Sequence, residues 1–147
     1  MGSELIIIFI QFSSVIITLV SVIILYKTIK ENKNLNQNII FNEVVNQERG
    51  LRIKLNEYKQ ERYVKLKRSQ DFTEITLSYD TLLFNYYEYL ALIIYKRLIN
   101  ESSAKLYFYE LVKDTKELFD SSILFEGGYA KREQYPGILW LFKKWKI

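Results

Sequence analysis

The longest uninterrupted apolar stretch runs from Leu5 to Tyr26, LIIIFIQFSSVIITLVSVIILY, with no charge, glycine or proline in it. Wound as a helix at ~1.5 Å per residue it reaches roughly 33 Å, enough to cross a ~30 Å hydrocarbon core. The pattern therefore predicts an N-terminal transmembrane helix over residues 1–26. The rest of the chain is too short and too polar to wrap such a rod on every side. A cleaved signal peptide fits less well, because no Lys or Arg precedes the run and no small-residue cleavage site follows it. Glu4 alone stands before the span, whereas Lys27, Lys30 and Lys33 come directly after it. Positive residues stay inside, so the expected location is the inner membrane, single-pass, with the N-terminus outside and the remainder in the cytoplasm.

Polar positions within the run are ordered. Gln11, Ser14, Thr18 and Ser21 fall at spacings of three, four and three, on one stripe of a helix. In lipid such a stripe calls for a second helix or for water. These four residues are the candidate pore-lining or oligomer stripe. The plainer alternative is that Ser and Thr bond back to their own helix carbonyls.

Beyond Tyr26 the period stays helical. Residues 27–70 form a membrane-proximal, basic, amphipathic segment in which Ile40, Val44, Leu51, Leu55 and Tyr58 make an apolar stripe. Gly50 interrupts it, and fraying is expected around the Asn residues of Lys27–Asn38. Residues 71–147 read as a helical bundle. Asp71 and Glu74 mark a helix start, and that helix runs to about Ile99. Asn100 to Ser103 supplies the next start, for a helix over Ala104–Leu124, and Glu126-Gly127-Gly128 closes it. A short aromatic helix, ILWLFKKWKI, ends the chain. Leu82–Tyr95 is apolar nearly all round, so it is expected at the centre of the bundle. Asn85 and Glu88, three apart on that helix, need partners there and form a candidate buried polar clamp on a neighbouring helix. A catalytic carboxylate is the sharper alternative. No segment alternates with the period of a strand, so the expected fold is all-α.

Composition narrows the chemistry. The 147-residue chain contains no Cys and no His. This removes disulfides, thiolate sites, the commonest general base and the commonest metal ligand. No catalytic, cofactor-binding or metal-binding residues are expected, and the chain is read as not an enzyme. Net charge is +4, with the basic surplus in residues 1–70. Beside a membrane that surplus suits anionic lipid, though nucleic acid could use it too.

The segment Leu82–Lys146, with LLFNYYEYLALIIYKRLI followed by a polar turn, a helix and YPGILWLFKKW, resembles a family of small bacterial single-span membrane proteins. Their cytoplasmic helical domain is HEPN-like, and the family includes or neighbours the membrane accessory protein of type VI-B CRISPR systems. The likeness centres on Asn85, Glu88, Leu90 and Ala91. It implies a ring of subunits enclosing a membrane pore during antiphage defence, with a CRISPR RNA-guided nuclease or its RNA as a possible partner. HEPN nucleases place a His a few residues after an Arg. Here Arg132 is followed at that distance only by Gly137 and Ile138, so the domain is expected to be catalytically empty and Arg132 a contact residue.

Two functions follow as expectations. One is a membrane-embedded homo-oligomeric effector that forms a pore or depolarises the inner membrane, its partners being the lipid bilayer and further copies of itself. The other is a membrane anchor or scaffold whose helical domain recruits a protein or RNA partner without conducting.

Overall fold

The structure is a computed structural model that describes the backbone of residues 2–147 and the side chains of residues 16–147. Five α-helices follow one another: α1 (Gly2–Lys67), α2 (Thr73–Tyr95), α3 (Glu101–Asp120), α4 (Ile123–Glu126) and α5 (Pro136–Trp145), with a 3-10 turn at Arg132–Gln134. Among the described residues there is no strand, in keeping with the all-α reading. The chain divides into two compact units, residues 1–37 and 38–147, and α1 contributes to both.

The membrane expectation requires correction. Among the described residues no helix is long and apolar enough to cross a membrane. The described side chains of the apolar run extend only from Ile16 to Tyr26 before Lys27, Lys30 and Glu31 follow. That is roughly 16 Å of helix against a hydrocarbon core of ~30 Å. The transmembrane helix, the single-pass topology and the inner-membrane location do not stand as descriptions of this structure. Those eleven or so positions are nevertheless all exposed, Ile17, Ile23 and Tyr26 at 65%, 66% and 69%.

Unit 2 is built round α2. Phe84, Leu90 and Ala91 are fully buried, and Leu83, Tyr87, Ile93 and Ile94 nearly so. Each large apolar side chain so enclosed contributes on the order of 1.5–3 kcal/mol. From α1 come Val44, Val45, Leu51 and Leu55, with Ile40, Phe41 and Tyr58 packed against them, so the apolar stripe of α1 belongs to this core. From α3 come Phe108, Val112 and Phe119, and from α5 Ile138, Leu141, Phe142 and Trp145. Phe84 anchors an aromatic knot. Its ring centroid lies 5.0 Å from Phe119, 5.6 Å from Phe125 and 5.9 Å from Tyr135, within the range of favourable edge and offset contacts.

Three boundaries differ from expectation for local reasons. Helix α2 stops at Tyr95 because Arg97 takes a left-handed conformation (φ 57°). The Leu98 N–H then donates to the Ile93 carbonyl at 3.0 Å and the Arg97 N–H to the Ile94 carbonyl at 2.9 Å, a Schellman closure that folds Ile99 inward. The helix expected over Ala104–Leu124 begins earlier, at Glu101, and is split in two. Ser121 turns its hydroxyl back to the Glu117 carbonyl (2.9 Å), and Ser122 accepts from the Leu124 N–H (3.1 Å), starting α4 afresh. Serine offers the backbone this alternative to a continuing helix. At the start of α2, Asp71 does accept from the Thr73 N–H (2.9 Å), but α2 carries no side-chain cap from Phe72 and no reciprocal bond from Glu74. Conversely, α1 runs through Gly50 and the Asn-rich segment without a break.

The position of α5 depends on one carboxylate. Glu88 of α2 accepts from the Gly137 N–H (2.8 Å) and the Ile138 N–H (2.9 Å), two donors left open at the start of α5. Gly137 is glycine because of this approach: a Cβ there would lie 2.8 Å from Glu88 Oε1. Glu88→Ala is expected to lower stability by about 2 kcal/mol, the scale of hydrogen bonds to a charged group. Gly137→Ala should cost a comparable amount in the parent but little in the Glu88→Ala background. Urea unfolding of the two single variants and the double variant checks this, and strictly additive losses would refute the proposed contact.

Candidate functional site

Within unit 2 the sequence-predicted site residues Asn85, Glu88 and Arg132 have separate surroundings. The side chains of Gln11 and Ser14 lie outside the described residues. Ser21 donates to the Ile17 carbonyl at 2.8 Å, and Thr28 further along donates to the Ile24 carbonyl at 3.0 Å. Their hydroxyls are thus satisfied within α1 itself. Asn85 is exposed on α2, while Glu88 points to the start of α5. Only one half of the proposed Asn85–Glu88 clamp reaches a neighbouring helix. Arg132 is also a fold contact, with Nη2 donating to the Asp120 carbonyl (2.7 Å) and the guanidinium 5.1 Å from the centre of the Phe125 ring.

A different site emerges where α1, α2 and the α3–α4 corner meet within unit 2. A cavity of about 350 Å³ opens there, lined by Tyr58, Lys59 and Arg62 of α1, Tyr79 and Asp80 of α2, and Ser122 at the corner, among others. A second cavity of about 290 Å³ shares Lys59, Tyr79 and Leu118 with it and adds Glu48, Arg52 and Asp114. Helix periodicity places Lys59 and Arg62 on one face of α1. Tyr79 and Asp80 are consecutive, and both reach the cavity from α2.

Asp80 is the chemically distinctive member. It is only 5% exposed, and the Ser122 hydroxyl donates to its Oδ2. Ser122 Oγ in turn accepts from the Leu124 N–H, so the pair ties α2 to α4. Burial pushes the Asp80 carboxyl up from the ordinary carboxylate value, while the Ser122 bond and the charge of Arg62 act against that rise. Arg62 itself lies over the Phe72 ring at 5.1 Å, and Lys59 over Tyr79 at 5.7 Å. In the neighbouring cavity Glu48, 2% exposed, pairs with Arg52 one turn on. That bond raises the Arg52 pKa, and Glu48 Oε2 is left buried without a partner. Desolvation also drives the Tyr87 hydroxyl upward, well out of the physiological range.

Sequence reasoning read residues 27–70 only as a basic amphipathic segment, and it passed over Asp80 and Ser122. Asp80 follows Tyr79 in a run of mixed polarity, and nothing local distinguishes it. Its environment is set by Ser122, 42 positions away. The one readable signal was the Ser121-Ser122 pair interrupting an apolar helix.

The Ser122 hydroxyl is committed on both sides, to Asp80 and to Leu124. Among the described residues no cluster of acidic side chains could hold a metal ion.

Because the folded carboxyl of Asp80 holds its proton more tightly than the unfolded one, its contribution to stability is greatest at low pH. That contribution is lost as pH rises above the ordinary value of 3.8. Asp80→Asn keeps an acceptor for Ser122 and removes the charge. The variant is therefore expected to gain stability relative to the parent as pH rises from the ordinary carboxylate value of 3.8 toward neutrality. Denaturant unfolding of both proteins across that range checks the sign.

No protein-family model matches the chain, and comparison with curated proteins and with solved structures finds no match.

Proposed function

We propose that this protein is a non-catalytic, self-assembling helical scaffold, in which copies associate through the apolar length of α1 in unit 1. The observation that carries this reading is the exposure of Ile16, Ile17, Leu19, Val20 and Val22 to Tyr26, on every side of the helix. Apolar surface of that extent marks an interaction site. A helix that is apolar all round is one that is covered all round. A single groove on a dissimilar partner covers one face, whereas several copies of the same helix cover one another. The hydroxyl of Ser21 is already satisfied by Ile17, so it brings no unpaired polar group into such a contact.

The roles of the polar residues support a scaffold over an enzyme. Glu88 joins α2 to α5, Ser122 joins the start of α4 to α2 through Asp80, and Arg132 holds the 3-10 turn to the end of α3.

The test is the particle mass of the full-length protein. A homo-oligomer of several times 17.7 kDa is expected at micromolar concentration by light scattering. Ile17→Glu, Val20→Glu and Ile24→Glu together place charge along one face of α1 and should reduce the assembly to smaller species with the helical content unchanged. A parent protein that remains monomeric, or that is taken up by lipid vesicles as single chains, would overturn the reading.

A further inference from the structure

We infer that the cavity between α1, α2 and the α3–α4 corner is a binding site for a nucleotide: an aromatic base carrying N–H donors joined to a phosphate. The volume, about 350 Å³, falls in the range of small-molecule sites, roughly 300–1,000 Å³. Its walls are chiefly apolar, from Ile75, Tyr79, Leu118 and Ile123, which suits a flat ring.

Polar capacity in the cavity is unevenly spent. Ser121 donates to Glu117, Thr76 donates to the Phe72 carbonyl, and Ser122 is committed to Asp80 and Leu124. Asp80 uses Oδ2 for Ser122, which leaves Oδ1 as an acceptor for a ligand donor. A carboxylate oxygen at a cavity wall accepts well from an N–H donor, and the exocyclic amino groups of adenine, guanine and cytosine provide one. The carboxylate also disfavours a second anion beside it. The anionic end of the ligand must therefore lie toward Lys59 and Arg62. Both cations rest on aromatic faces, and neither forms an ion pair among the described residues. Two cations one turn apart that line the same cavity match a phosphate group. One acceptor and two cations around a largely apolar cavity describe a base and its phosphate better than they describe an isolated anion.

The site is independent of self-assembly through α1, since every lining residue belongs to unit 2. The test is isothermal titration of the full-length protein with adenosine, guanosine and cytidine 5′-monophosphates, with adenosine and inorganic phosphate as separate probes. At least one nucleotide is expected to bind more tightly than its nucleoside and than phosphate, each by tenfold or more. Lys59→Ala with Arg62→Ala should weaken the nucleotide at least tenfold and leave nucleoside binding unchanged. Asp80→Asn leaves Ser122 an acceptor but presents an amide donor at the open position, so it should weaken both nucleotide and nucleoside while the fold, followed by circular dichroism, is retained. Absence of binding by all three nucleotides at millimolar concentration would overturn the inference. So would phosphate binding as tightly as the nucleotides, which would mark a plain anion patch.

Discussion

A helix that is apolar on most of its sides must have those sides covered, and in unit 2 that constraint falls on α2, whose remaining face, at Asn85, Tyr89, Leu92 and Tyr95, stays open to solvent. Phe84, Leu90 and Ala91 have no access to solvent, so α1, α3, α4 and α5 must each supply a layer against them. Apolar packing sets how much is buried but says little about direction. Direction comes from the few polar groups that α2 carries inward. Glu88 fixes the start of α5, Asp80 fixes the start of α4 through Ser122, and the Tyr86 hydroxyl donates to the Val44 carbonyl of α1 at 3.0 Å. Three polar contacts from one helix thus orient three neighbours, and each costs too much to break for the neighbour to slide.

The bundle was largely legible in the sequence, because helical periodicity reports which face is buried. The stripe of Val44, Leu51 and Leu55 and the apolar centre of α2 could be placed from spacing alone. Helix ends were less accessible. They turn on single residues whose behaviour is decided by what lies across the bundle, as at Arg97 and Ser121-Ser122. The N-terminal run exposes a different limit. Its composition states that the helix must be covered but not by what, and the length that suggested a membrane span rests partly on side chains before Ile16. Within the described residues the apolar run is too short for that role.

The candidate site was legible only in fragments. Glu88 could be marked as needing a partner because it sits in an apolar helix, whereas its neighbour Asn85 turned out to face solvent. Local pattern could not identify Glu48, since its flanking Arg49 and Arg52 made it look like one member of a solvated, mixed-charge face. Glu48 is nonetheless buried, in the wall of the second cavity together with residues of α2 and α3. Buried charge of this kind is a tertiary property.

The cavities themselves follow from how α1 is held. Large side chains reach across to it: Phe41 meets the rings of Tyr107 and Phe108 at 6.2 and 6.4 Å, and Lys59 lies over Tyr79. Reaching contacts keep backbones apart, and space remains between them wherever no side chain is long enough to fill it. The two cavities, lined from α1, α2 and α3, occupy that space. Filling it with apolar side chains would be the stable solution for a bundle that only had to fold, because Asp80 and Glu48 could then be replaced by residues with no desolvation cost. The chain instead keeps Asp80 beside one cavity and Glu48 beside the other, and the ligand inferred for the first would give Asp80 a role that folding alone does not.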